Sequence, residues 1–417
     1  MKKWAILTFL LLAGAATWTE CGSRAATALP GQSSHITDRT ASARQPIEKS
    51  GLDREHTLQT ALLEDRVHAV VMLTLNAGWA YSLEHVWAIS NAGAAWNLVW
   101  HRPIPILAFA AVSRTDAWAV TAPAGARRFR VWHTANGGHT WTSRAVPTRW
   151  QVVEAFISVD ARGDGRILVT GPVAPQTGPE ALFAVDQGQV QAKPVYASQA
   201  GGLSNIVFPA RDAGVAVDQA VSGPQNISPP MFYTINGGVT WHPVVLPALP
   251  IVASASMAKG GPEYIVNAPI DFVSASTGYA ALESPAAKVY RTTNAGASWA
   301  PIHSPPVTAG YGISTTWQTP ERGWVMAGTK GASILWGTFN GGKTWTRLAS
   351  ENFVSMPQFV SARDGWALVV VPHPNPYGGP NTFVRTVNGG RTWTPIAIRG
   401  IGFDHESAPA SRPGMDR

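Results

Sequence analysis

The chain has 417 residues, 45% hydrophobic and 14% charged, with 40 Gly, 32 Pro and a formal net charge of +7. So few charges beside so many turn-formers exclude a disordered chain and point to a β-rich globular protein. The positive balance rests on 24 Arg against 8 Lys; it favours solubility and attraction to acidic surfaces, but no basic stripe interleaved with stacking aromatics marks a nucleic-acid site.

The N-terminus reads as an export signal. Lys2 and Lys3 precede an uncharged run of 15 residues, Trp4 to Trp18, which is short for a membrane span and suits a signal peptide or anchor over residues 1–20. Small-residue cleavage sites follow Ala15 and Ala28. Cys21, trailed by Gly22 and Ser23, sits as a lipidated cysteine would, although Glu20 and Trp18 depart from the small and aliphatic residues of a lipobox. A cleaved or uncleaved signal and a lipoprotein therefore both stay open. A single cysteine excludes an internal disulfide framework. Residues 21–65 form a linker, polar and without apolar period over 22–52, with a short amphipathic helix expected at 53–65, where Leu58, Ala61 and Leu62 share a face.

From residue 66 to 399 the sequence repeats. "TANGGHTWT" at 134–142 returns as "TINGGVTWH" from Thr234, "TFNGGKTWT" from Thr338 and "TVNGGRTWT" from Thr386. Aligned on the Asn, the units fall at Asn91, Asn136, Asn236, Asn294, Asn340 and Asn388. The gap from Asn136 to Asn236 is double the others, and its midpoint is Asp186 in "AVDQGQVQ", an eroded seventh unit. A period of 45–58 residues is that of propeller blades. Each unit carries an apolar run broken by a tight turn, as in "FVSARDGWALVVV" at 359–371, then a third strand, the Asn-Gly-Gly turn and a fourth strand. Alternation and turn signals predict an all-β, seven-bladed propeller of four-stranded antiparallel blades, followed by a disordered tail at 400–417.

The turn chemistry explains the repeat. Asn-Gly is expected to supply the two positive-φ residues of a tight hairpin, with the Asn side chain bonding the turn's own amides. The Trp five residues on (Trp96, Trp141, Trp241, Trp299, Trp345 and Trp393; Gln191 in the eroded unit) starts the fourth strand and wedges between sheets. Such a ring buries about 200 Å², which is worth up to ~5 kcal/mol. The nonapeptide is thus a staple rather than catalytic machinery, with Trp345 expected to contribute more than Trp324, two strands before the fourth, if the Trp324 ring faces the rim.

T-x-N-G-G-x-T-W resembles the Asp-box, or BNR, repeat with Asn in the Asp position. Its pairing with a preceding Gly-Trp strand resembles the photosystem II stability/assembly factor-like family over residues 66–398. That resemblance implies a propeller, and it leaves function open, because Asp-box propellers include sialidases, sortilin-type receptors, xyloglucan hydrolases and non-enzymatic assembly factors.

Resemblance to sialidases would require an Arg-Ile-Pro motif near the start, and "HRPIP" at 101–105 does not supply it. No metal cluster, Ser-His-Asp context or phosphate-cradling loop stands out; His133 and His139 are read as solvated hairpin residues. A weaker case rests on Glu154 and Asp271, placed with Asn205, Thr316 and Gln358 at the start of the innermost strands, where a carboxylate pair ~5–9 Å apart would suit glycoside hydrolysis. The competing reading is a polar, water-filled channel. Arg114, Arg162, Arg211, Arg322 and Arg363 fall in the turns between first and second strands, and His139, Lys343 and Arg391 in the Asn-Gly-Gly turns. In an up-and-down blade these turns share a face and would form a basic rim, tempered by Asp116, Asp212 and Asp364. The expectation is an exported, monomeric, non-enzymatic scaffold without cofactor, binding an acidic or membrane-associated protein partner at the extracytoplasmic membrane face. A carbohydrate hydrolase using the channel carboxylates is the alternative.

Overall fold

In the computed structural model the described residues are 67–160, 162–172, 178–218, 231–247, 270–282, 288–307, 311–329, 332–354, 356–370 and 381–398. The export signal, Cys21, the linker with its expected helix, the 400–417 tail and most of the long loops at 218–231 and 371–382 lie outside them.

Seven antiparallel sheets follow one another along the chain. Blade one is β1 (Ala69–Met72), β2 (Gly78–Tyr81), β3 (His85–Ser90) and β4 (Ala95–His101). Blade two is β5 (Ile106–Ala111), β6 (Ala117–Thr121), β7 (Arg128–Thr134) and β8 (Thr142–Pro147). Blade three is β9 (Glu154–Val159), β10 (Gly165–Thr170) and β11 (Gly178–Asp186), whose outer edge is shared by β12 (Gln189–Val190) and β13 (Tyr196–Gly201). Blade four is β14 (Leu203–Val207), β15 (Gly214–Asp218), β16 (Met231–Thr234) and β17 (His242–Pro243). Blade five is β18 (Asp271–Phe272), β19 (Gly278–Leu282), β20 (Lys288–Thr292) and β21 (Ala300–Ile302). Blade six is β22 (Tyr311–Thr319), β23 (Arg322–Thr329), β24 (Ala332–Thr338) and β25 (Thr346–Glu351). Blade seven is β26 (Gln358–Phe359), β27 (Gly365–Val370), β28 (Asn381–Thr386) and β29 (Thr394–Pro395).

Within each blade the strands pair in chain order, so the predicted all-β seven-bladed propeller is the observed fold. First strands of neighbouring blades lie side by side, β5 on β9, β9 on β14, β18 on β22 and β22 on β26, and β26 meets β1 to close the ring. Blade seven supplies its own outer strand, β29, so closure borrows none from the N-terminus.

The Asn-Gly-Gly loop differs from the expected two-residue hairpin. Its positive-φ pair is Gly-Gly, as in Gly137 (φ 73°) and Gly138 (φ 89°), while Asn takes positive φ only in blade one, at Asn91. The Asn side chain is occupied instead in closing a wider loop. Asn136 Oδ1 accepts the Thr140 N–H (2.9 Å) and the Thr134 hydroxyl (3.1 Å), and Nδ2 donates to the Thr140 hydroxyl (2.9 Å). Thr134 Oγ1 accepts the Gly138 N–H at 2.9 Å. The same set recurs around Asn236, Asn340 and Asn388, and around Asn294 with Ser298. In the eroded unit, Asp186 and Gln189 flank a true two-residue turn, Gln187-Gly188, with φ 47° and 79°.

The second Gly of each loop is where the preceding blade lands. A Cβ there would meet Val99 at 2.5 Å (Gly138), Leu182 at 2.2 Å (Gly238), Val215 at 2.1 Å (Gly296) and Ile302 at 2.6 Å (Gly342). Glycine is needed twice over, for its backbone angle and for the close approach.

The core lies in the seams between blades, and its largest rings belong mostly to the second strands. Trp79, Trp118, Trp324 and Trp366 are 0–1% exposed, as are Trp87 and Trp96. Of the loop Trp residues, Trp96 and Trp299 are buried, whereas Trp141, Trp241, Trp345 and Trp393 are half-buried. The ranking expected for Trp324 is therefore reversed: it lies inside a seam, because its neighbour in space is Phe359 of the next blade.

Candidate functional site

Two turns meet on one face in each of blades two to seven. The loop amide after Asn donates to the turn between first and second strands: Gly137 to Thr115 O (2.9 Å), Gly237 to Asp212 O (2.8 Å), Ala295 to Ser276 O (2.9 Å), Gly341 to Glu321 O (2.9 Å) and Gly389 to Arg363 O (2.8 Å). Blade three makes the equivalent bond from Gly188 to Gly163 O at 3.0 Å. This hydrogen bond places Arg114, Arg162, Arg211, Arg322, Arg363, Lys343 and Arg391 on a single face of the ring, and all seven are exposed.

Their charge is not evenly spread. In blade two, Asp116 accompanies Arg114 and bonds His133 Nε2 at 3.3 Å; the His133 ring lies on Trp118 with centroids 4.0 Å apart. Blade three sets Asp160, Asp164 and Asp186 against Arg162, and Arg211 of blade four pairs with Asp186 at 3.1 Å. Arg166 is buried here: its Nε donates to Gly237 O (2.7 Å) and its Nη2 to Arg211 O (3.2 Å), tying blade three to blade four. Burial pulls its pKa down, with Arg211 adding to the pull and nearby acids opposing it. Blades six and seven carry Arg322, Lys343, Arg363 and Arg391 against Glu321 and Asp364. Asp364 is already paired with Arg385 at 2.9 Å. Burial pushes its carboxyl up, but the Ser361 hydroxyl and Arg385 outweigh that and hold it below the usual range.

The carboxylates of the inner strands are arranged differently from the expected register. Asp271 pairs with Tyr279, Thr316 with Trp324 and Gln358 with Trp366, all opposite the residue after the second-strand Gly. The matching residue in blade three is Ser158, opposite Arg166, whereas Glu154 pairs with Thr170 at the far end of β9. Four residues of strand separate the two positions, about 13 Å at 3.3 Å per residue. Glu154 and Asp271 thus stand at different heights. Asn205 is buried at a bulge in β14, with φ 44°.

At this shared register a polar side chain staples one blade to the next. Ser158 Oγ accepts the Phe208 N–H (2.9 Å), Asp271 Oδ2 the Trp317 N–H (2.6 Å) and Gln358 Oε1 the Met72 N–H (2.8 Å). The seams so joined are three to four, five to six, and seven to one. Thr316 also donates its hydroxyl to Asp271 Oδ2 at 3.1 Å. Burial raises the Asp271 carboxyl to about 6, against the lowering effect of these three groups: the Trp317 amide, the Thr316 hydroxyl and the Phe272 amide.

Sequence reasoning passed over Glu180. It is 1% exposed on β11, in one lateral row with Thr170 and Glu154, and accepts the Tyr196 hydroxyl (3.1 Å) and the Leu203 N–H (2.9 Å). Burial, and then Glu180, raise the Tyr196 phenol to about 12. A lone acid inside the apolar stretch "GPEALFAV" is the available signal. Among the described residues no group of three or more His, Cys, Asp or Glu is placed to hold a metal ion.

No protein-family model matches this chain, and no curated protein matches it. Solved structures do, at low identity. YCF48 bound to D1 peptide is 15% identical over 77% of this chain and 93% of its own, with a TM-score of 0.48. The GH74 xyloglucanase from Xanthomonas campestris is 14% identical over 80% of this chain and 53% of its own, TM-score 0.49. A prolyl endopeptidase is 10% identical over 84% of this chain and 55% of its own, TM-score 0.52. The chain spans about half the length of these last two proteins. At such identities the likeness is one of fold, and fold alone does not fix function.

Proposed function

We propose that this protein is an exported, non-enzymatic Asp-box propeller that works as a protein-binding or assembly scaffold at the extracytoplasmic membrane face. The observation that carries the reading is the bond between paired turns, repeated around the ring, which gathers exposed cations from different blades onto one rigid face. Surfaces of this kind steer an acidic partner and fix its orientation. The inner-strand carboxylate that would serve a hydrolase, Asp271, is occupied in holding blade five to blade six. The N-terminal apolar run supplies the export signal or anchor, with Cys21 as the lipidation site if the anchor is a lipid.

The test is capture of acidic membrane-protein segments by the wild-type protein and by a variant with Arg114, Arg322 and Arg363 all changed to Ala. Loss of capture in the variant, and weakening with salt, support the reading. Equal capture by both proteins at low salt contradicts it.

A further inference from the structure

Exposed apolar tips stand on the box-bearing face in blade four (Ile235, 64%, and Val239, 52% exposed) and in the consecutive blades six, seven and one. In blade four the turn cation Arg211 is paired with Asp186, whereas in the sector of blades six, seven and one the turn cations are not paired among the described residues. Phe339 and Val387 each stand between a Thr and an Asn whose side chains turn inward to close the loop, and are 41% and 52% exposed. Leu75, in the turn of blade one, is 44% exposed. The turns of blade one in this sector, residues 73–77 and 90–94, carry no charge. Around these apolar tips stand Arg322, Lys343, Arg363 and Arg391, none of which pairs with an acid among the described residues. The acids of this face concentrate instead in blade three.

We infer that the sector of blades six, seven and one rests on an anionic lipid surface, with Phe339, Val387 and Leu75 entering the headgroup layer and the four cations meeting lipid phosphates. Apolar side chains at separate turn tips, rather than in a groove, suit a continuous surface better than a peptide. Cations ringing them supply charge complementarity to anionic headgroups. This deepens the reading of the face as a binding surface and rests on it.

The test uses the full chain with Cys21→Ser, so that a single introduced cysteine carries an environment-sensitive dye. Labels at Val387→Cys and Leu75→Cys are compared with one at Val245→Cys, which is 84% exposed just beyond β17, at the strand end away from the Asn-Gly-Gly loop. With phosphatidylglycerol–phosphatidylcholine vesicles the dyes at 387 and 75 should shift to the blue while that at 245 does not, whatever the N-terminal run contributes to binding. The shifts should vanish on phosphatidylcholine alone. Lys343→Ala with Arg391→Ala should cut partitioning roughly tenfold or more, since each basic residue near an anionic surface contributes about fivefold. Equal responses at 387 and 245, or a shift indifferent to lipid charge, overturn the inference. Poly-glutamate serves as a second probe. If it moves the dyes at 387 and 75 while vesicles do not, the lipid assignment fails and the acidic-partner reading stands; if neither moves them, both fail.

Discussion

Trp324 of β23 lies flat on Phe359 of β26, with ring centroids 3.8 Å apart and planes 1° from parallel. The contact crosses the seam between blades six and seven, and Trp324 Nε1 also donates to Gly389 O at 3.3 Å. Tyr279 on Trp317 repeats it one seam earlier, at 3.5 Å and 7°. Truncating such a ring removes buried area and leaves a cavity that the rigid seam fills poorly. Trp324→Ala should therefore destabilise by about 3–5 kcal/mol. Trp345→Ala should cost less, about 1–3 kcal/mol, because that ring is half-buried. Urea denaturation of the two variants checks the order, and a larger loss at Trp345 contradicts it.

The two glycines of one loop should respond unequally to a methyl group. Both Gly137 (φ 73°) and Gly138 (φ 89°) hold a conformation that costs a non-glycine residue roughly 1–2 kcal/mol. A Cβ at Gly137 meets only Arg114 O at 3.7 Å, whereas one at Gly138 strikes Val99 Cβ at 2.5 Å. Gly138→Ala should be the worse by about 1–3 kcal/mol, the range of overpacking. Equal melting temperatures would show that the blades do not bear on the second glycine.

Asp271 gives the fold a pH dependence of known sign. Its carboxyl is raised to about 6, above the ~3.9 of an unfolded chain. The folded state holds the proton more tightly, so the stabilisation is full below pH ~4 and is lost as pH rises through 6. With a partly exposed group the effect should be on the order of 1 kcal/mol. Asp271→Asn keeps an acceptor for the Trp317 amide and should flatten the slope; Asp271→Ala leaves that amide without its acceptor and should cost about 1–3 kcal/mol at every pH. Stability profiles from pH ~4 to ~7.5 for the three proteins decide the matter, and an unchanged slope in the Asn variant counts against it.

Much of this was legible in the chain because the repeat is local. The Thr, Asn and Gly residues of a loop bond one another within a few residues, so their spacing declares six hairpins, and the doubled gap around Asp186 the seventh. Seam neighbours are not local. Phe359 lies 35 residues beyond Trp324 and Val99 39 before Gly138, in blades whose rotation about the ring no periodicity reveals. That is why the sequence alone does not reveal the burial of the second-strand rings, or the blade that lands on the second glycine. Register failed at β9 for a related reason. Its run "EAFISVD" offers Glu154 as the conspicuous polar residue, while the ladder assigns the shared position to Ser158, four residues on.

The carbohydrate-hydrolase alternative makes its own demand. Glu154→Gln and Asp271→Asn should leave the protein folded, and neither should abolish hydrolysis of any member of a glycoside panel. A glycoside that the wild type cleaves and either variant does not would transfer the argument to the inner strands.

The central claim is that the paired-turn face is the binding surface. Its most direct measurement is capture of acidic membrane-protein segments by the wild type, by the Arg114, Arg322 and Arg363 triple Ala variant, and by a control with Val245→Ser at the opposite strand end. The account predicts capture by wild type and control, loss in the triple variant, and weakening of the wild type as salt rises and the screening length falls below ~8 Å. Capture retained by the triple variant at low salt would contradict it.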